Sequence, residues 1–149
     1  MNASHVSPKT EAQLRDLAVR YAEAADRRDV DRFTELFFPD ATVTVMNGVD
    51  SVTISGHEEL RAIPERLGRY DRTFHLLGQS AYRAHQGMAT GELYCIANHL
   101  RAGVNTVMYI RYEDEYRQNV TGKWLLSSRR VVVEWVEEHS ASGSASPSR

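Results

Sequence analysis

Residues 88–118 read MATGELYCIANHLRAGVNTVMYIRYEDEYRQ, and this stretch decides the fold class. On its first half, alternation places Leu93, Cys95, Ala97 and His99 on one face and Tyr94, Ile96 and Asn98 on the other. Gly103 then separates two runs rich in β-branched and aromatic residues, the signature of a hairpin. Gly87 and Gly122 repeat that punctuation, so strands are predicted at about 72–85, 88–102, 105–118 and 123–136. Further upstream, Thr42–Met46 is a β-branched run. Asn47-Gly48 is a turn signal, and Val52–Ile54 can pair back. Before that the period changes. Leu14, Leu17, Ala18, Tyr21, Ala22 and Ala25 recur at helical spacing and predict a helix over about 10–27, with Asp26 at the edge of its apolar arc. Asp29 is a good N-cap for a second helix with Phe33, Leu36 and Phe37 on its apolar face, ended by Pro39-Asp40. Ser55-Gly56-His57-Glu58 has capping-box form and opens a third helix to about Leu67, kinked or split at Pro64. Helices followed by consecutive strands indicate an α+β fold, with helices packed on one face of an antiparallel sheet. Strong twist curls so long a sheet around the helices, and such a curl can enclose a cavity.

A chain of 149 residues reads as one domain, here residues 10–136, with the polar, Ser-rich ends 1–9 and 137–149 expected to be disordered. Its net charge of -2 gives no electrostatic reason to bind nucleic acid or an anionic membrane. The single cysteine, Cys95, excludes an intrachain disulfide and a cysteine-based zinc site. The sequence shows neither a long apolar run nor the apolar core of a signal peptide, which reads as cytoplasmic. What stays open is a small cofactor-poor enzyme, a binding pocket or a structural subunit.

Two histidines stand out. His99 ends an otherwise apolar row, and His75 sits between Phe74 and Leu76-Leu77. The plainer reading of His99 is a core histidine bonded to a backbone carbonyl. Two histidines in apolar settings on adjacent strands are less readily both structural. Asp26, on the rim of a helix that must pack on the sheet, can supply a carboxylate that fixes a ring tautomer and raises its basicity. Two histidines and a carboxylate also match a facial metal triad, although the short ligand spacing is missing. Cys95 is a lone thiol on an apolar face, suited to lining a pocket and unsuited to nucleophilic attack. No nucleophile elbow or phosphate loop occurs. Tyr70, Tyr82, Tyr109, Tyr112 and Tyr116 read as sheet packing, while His5, His57, His85 and His139 read as solvated. The run Arg111, Glu113, Glu115, Arg117 reads as a solvated or subunit-contacting sheet face.

Three segments carry a resemblance: Tyr21–Asp29 leading to Leu36–Ala41, Thr73-Phe74-His75-Leu76-Leu77-Gly78, and Gly91–Leu100. Over about 10–136 the chain resembles the scytalone dehydratase-like group of the SnoaL-like, nuclear-transport-factor-2-like superfamily. That resemblance implies a cone, a curved sheet wrapping three helices around a pocket. It implies a cofactor-independent dehydratase in which His99, oriented by Asp26, is base and then acid, and His75 bonds the leaving hydroxyl or the enolate. It implies Tyr21 as a carbonyl-polarising residue; Cys95 and Ala97, on the strand face of His99, are read as lining the same pocket. The substrate would be a small hydrophobic carbonyl compound of polyketide, aromatic or steroid type, and the protein a homo-oligomer, trimer or dimer. An isomerase or cyclase using the same residues, or a non-catalytic subunit, are the alternatives. Where the fungal dehydratase has a tyrosine directly before its aspartate this chain has Ala25, and a strand tyrosine is replaced by Val45 or Met46, so carbonyl polarisation lacks an obvious donor.

Overall fold

In a computed structural model of the chain, residues 4–142 are described. In chain order the elements are β1 (Ser4–His5), α1 (Pro8–Arg27), α2 (Val30–Thr34), β2 (Phe37–Asn47), β3 (Asp50–Ser55), α3 (Gly56–Leu60), α4 (Ala62–Leu67), β4 (Arg72–His85), β5 (Met88–Arg101), β6 (Val104–Gln118) and β7 (Trp124–Ser140). All strands join one curved, unclosed sheet in the order β1-β4-β5-β6-β7-β2-β3. The fold is α+β, as the helix-then-strand order predicts.

Helix α1 forms where the apolar period predicts it. Ser7 caps its start by accepting a hydrogen bond from the Thr10 N–H at 3.1 Å, and Pro8 occupies the first turn, where no N–H is needed. At the other end Arg28 turns left-handed (φ 54°) and donates its N–H to the last carbonyls of the helix. The stripe Leu14, Leu17, Ala18, Tyr21, Ala22 and Ala25 is buried against the inner face of the sheet. That face supplies Leu93, Cys95 and Ala97 from β5, Tyr112 and Tyr116 from β6, and Leu126 and Val131 from β7. Gly91 lies under the rings of Tyr82 and Tyr116. A Cβ there would meet the Tyr82 ring at 2.7 Å, so only glycine fits.

Several local expectations change. The second helix stops at Thr34, and Pro39-Asp40 lies inside β2, in the irregular stretch between Phe37 and Thr42 where the ladder with β7 shifts register. Proline is tolerated there because no ladder donor is required. β2 pairs with β7 in parallel, so the sheet is mixed. The third helix is two short ones with the break at Arg61, and Pro64 sits in the first turn of α4. Ser55 makes no side-chain cap; its N–H instead donates to Glu59, not Glu58. His57, expected to be solvated, donates Nε2–H to the Phe37 carbonyl at 2.8 Å and ties α3 to β2.

Part of each expected tail belongs to the sheet. Ser4–His5 pairs with β4, and β7 continues to Ser140 because Val104–Val107 of β6 would otherwise have no neighbour on that side. Residues 1–3 and 143–149 of the expected tails lie outside the described residues. On the outer face Arg111 bonds Glu134 and Arg130 approaches Glu113, while Tyr109 stacks on Trp135 at 4.2 Å. The alternating charges of β6 thus do face outward.

Candidate active site

Helix α1 lies chiefly over β4, and its last turn brings Asp26 to the first residues of that strand. Thr73 and His75 share one face of β4, two residues apart, and both turn toward the helix. The Asp26 carboxylate accepts three hydrogen bonds from them: His75 Nδ1 at 2.6 Å and the Thr73 hydroxyl at 2.9 Å to Oδ1, and the His75 backbone N–H at 3.0 Å to Oδ2. Burial alone would raise the Asp26 pKa, but the bonds from His75 and Thr73 outweigh it and hold the carboxyl below its ordinary value. Asp26 keeps 22% and His75 8% of the side-chain surface exposed, so the pair is mostly enclosed yet reachable.

His99 is the neighbour of Thr73 across the ladder, and its ring meets that of His75 edge-to-face with centroids 5.9 Å apart. Its Nδ1 lies 3.1 Å from the Thr106 carbonyl. Carbonyl and carboxylate oxygens only accept, so Nδ1 carries a proton in both rings, and in the neutral form of each ring Nε2 presents a lone pair. Burial depresses the His99 pKa. The Thr106 bond opposes this, and His75 and Arg69 add to the depression.

The pairing therefore differs from the one the resemblance implies: Asp26 holds His75, and His99 takes the carbonyl partner of a core histidine. Alternation along each strand placed both rings inward but could not say which strand the helix overlies. Cys95 and Ala97 are buried on the inner face as expected, Ala97 directly opposite His75. Burial pushes the Cys95 thiol up to about 11, which leaves it a poor nucleophile. Tyr21 is placed elsewhere. Its ring packs among Phe33, Phe37 and Tyr112 and against the Arg129 guanidinium at 4.2 Å.

Several further groups lie at or near the site without a distinctive sequence signal. Thr73 is legible only from its parity with His75. Tyr70, read as sheet packing, lies in the turn before β4 with its ring 4.9 Å from that of His99. Arg129 is fully enclosed in the core. It is bonded twice to Asp114, at 2.8 and 2.7 Å, and sandwiched between the rings of Tyr21 and Tyr112. No sequence pattern distinguishes it from the outward Arg130 beside it. Among the described residues, no group of three or more His, Cys, Asp and Glu is placed to hold a metal ion, and no helix is long and apolar enough to cross a membrane. A recess of about 790 Å³ is lined by Ser80, Tyr82, Thr90, Glu113 and Arg130, among others, and includes neither histidine of the site.

The two depressed groups make stability depend on pH. A native His99 and a native Asp26 each bind protons less readily than their unfolded counterparts, so acid favours the unfolded chain. Between about pH 6.5 and 8 neither group changes the stability, which should fall below about pH 6.5 as unfolded His99 protonates and fall again below about pH 4 through Asp26. Urea midpoints across this range check it. His99→Gln should remove the first decline and leave the second, and an unchanged first decline would dismiss the assignment.

The family model for the SnoaL-like domain matches residues 8–130. Among solved structures, LinA superposes with a TM-score of 0.80 at 19% identity, covering 93% of this chain and 95% of that one. A scytalone dehydratase candidate from Novosphingobium aromaticivorans has a TM-score of 0.78 at 15% identity, covering 95% and 96%. A hexachlorocyclohexane dehydrochlorinase, LinA-type3, from Novosphingobium barchaimii has a TM-score of 0.78 at 17% identity, covering 93% and 96%. At these identities the likeness shows a shared fold. No curated protein matches the sequence significantly.

Proposed function

The chain belongs to the SnoaL-like family of the nuclear-transport-factor-2-like superfamily, and from that premise we propose a small-molecule-modifying enzyme, specifically a lyase that dehydrates a β-hydroxy carbonyl compound without a cofactor. The observation that carries this reading is the 2.6 Å bond between Asp26 and His75 Nδ1, which leaves His75 Nε2 as a base. His75 Nε2 takes the proton from the carbon next to the carbonyl. The C–H pair becomes the new double bond as the carbonyl π pair moves to oxygen. Asp26 stabilises the imidazolium through Nδ1, so no charge is stranded in the enclosed site. The oxygen pair then returns, the β-C–O bond breaks, and the hydroxyl departs as water with the proton from His75. His99 Nε2, an acceptor, holds the β-hydroxyl by its O–H throughout. The names of two structural neighbours, a dehydratase and a dehydrochlorinase, both denote eliminations, in which a proton and a leaving group are lost. A halide leaving group offers no hydrogen to His99, and this favours the hydroxy substrate.

The test is a panel of β-hydroxy ketones of polyketide, aromatic and steroid type. Turnover should appear as the ultraviolet absorbance of a conjugated double bond, and in heavy water the α-carbon of the substrate should take up deuterium. A panel giving neither signal overturns the reading. Deuterium uptake without new absorbance would reassign the protein as an isomerase or cyclase.

A further inference from the structure

Proton abstraction beside a carbonyl needs a donor aimed at the oxygen where charge develops. The groups around the dyad do not provide one. The Nδ1 protons of both histidines are committed to Asp26 and Thr106, and the Thr73 hydroxyl proton to Asp26. Tyr21 is turned into the aromatic core beside Arg129. Tyr70 is differently placed. Its ring rests on His99 with centroids 4.9 Å apart, and its hydroxyl accepts a hydrogen bond from Arg69 Nη2 at 3.1 Å. Accepting from a guanidinium leaves the phenol proton to donate and makes it a stronger donor. The same guanidinium lies 5.0 Å from the centre of the Tyr70 ring and acts on His99 electrostatically.

This turn is held to the dyad. Arg28, directly after α1, donates to the Asp26 carbonyl at 2.7 Å, the Leu67 carbonyl at 3.2 Å and the Tyr70 carbonyl at 3.1 Å. One side chain thus fixes the backbone that bears Tyr70 relative to the residue that orients the base. Such rigidity is what an oxyanion donor requires, because a donor that must reorganise loses most of its value.

We infer that the Tyr70 hydroxyl, bonded to Arg69 and fixed in place through Arg28, is the donor that receives the developing enolate oxygen of a carbonyl substrate. The inference rests on the proton-abstraction reading of the site. Tyr70 touches substrate. Arg69 and Arg28 are positioning residues. A site of this kind selects molecules whose oxygen becomes anionic beside the abstracted proton, and a halocarbon, lacking that oxygen, makes no use of it.

A planar phenolate mimics an enolate, so the probe is 4-nitrophenol, titrated into the intact protein and followed by phenolate absorbance. The wild type should bind the ionised form, Tyr70→Phe should weaken binding about 10-fold or more, and Arg69→Gln should weaken it less, with Arg69→Lys restoring part. On a turned-over substrate Tyr70→Phe should lower kcat by about 10²–10³-fold with KM changed little. Equal phenolate binding by wild type and Tyr70→Phe, or none by the wild type, overturns the inference. Loss of deuterium uptake in His75→Gln would leave the dyad reading standing in either case. Conversely, Tyr70-dependent phenolate binding in a protein that exchanges no α-proton would retain the anion site and dismiss the dyad. Should Tyr70→Phe fold poorly, Arg69→Gln carries the same comparison.

Discussion

Asp26→Asn should lower kcat by about 10³–10⁴-fold and leave a folded protein. An asparagine with its oxygen at the Oδ2 position still accepts from the His75 N–H, 3.0 Å away, and the Thr73 hydroxyl, 2.9 Å from the Oδ1 position, can turn to accept from the amide, so the corner between α1 and β4 survives. Toward His75 Nδ1, however, its amide can present a donor. The ring then moves its proton to Nε2, and the base is lost through the wrong tautomer. His75→Gln should match it at about 10²–10⁴-fold, the range a general base supplies. The double variant should be little worse than either single one, because the two side chains act as a unit. His99→Gln should cost less, since an acceptor for the β-hydroxyl remains. Steady-state rates on a dehydrated substrate, with melting curves to confirm folding, decide the matter. A His99 variant more damaging than the His75 variant would restore the pairing implied by the resemblance and sink the one drawn here.

The largest effect on stability is expected at Arg129. Its guanidinium is enclosed completely, bonded twice to an equally enclosed Asp114, whose Oδ2 also accepts the Tyr116 hydroxyl at 2.6 Å. Removing one member of such a pair leaves a buried charge without compensation. Arg129→Met should therefore destabilise by about 3–5 kcal/mol. At about 2–4 °C per kcal/mol for a domain of this size, the melting temperature should drop on the order of 10 °C. Removing both charges in Arg129→Met with Asp114→Asn, which keeps an acceptor for the Tyr116 hydroxyl, should recover part of the loss, because no uncompensated buried charge remains. Urea unfolding of the two variants measures the difference. A double variant no more stable than the single one would show that the core depends on the guanidinium between Tyr21 and Tyr112 for packing as much as for charge.

The differences between local preference and final structure share a cause. Pro39 reads as the end of a helix, yet the chain leaves the helix at Thr34, and the ladder shift in β2 absorbs the proline. Tyr70 reads as a sheet tyrosine because a β-rich composition follows it, whereas it belongs to the turn after α4. Glu59 rather than Glu58 reaches the Ser55 N–H because that turn enters α3 through Gly56 at φ +80°. In each case two local preferences were nearly balanced, and packing chose between them.

From the sequence alone came the α+β class, the long strands and their glycine boundaries, and the inward row Leu93, Cys95, Ala97, His99. These follow from periodicity, which every residue in an element reports independently. Asp26, His75 and His99 were legible as polar groups placed where apolar ones belong. Which of the two histidines the carboxylate holds was not legible, nor was the burial of Arg129 or the placing of Tyr70 over His99. Those depend on where α1 crosses the sheet and how the α4–β4 turn is pinned. Such positions are set by contacts between residues far apart in the chain, which leave no periodic trace in it.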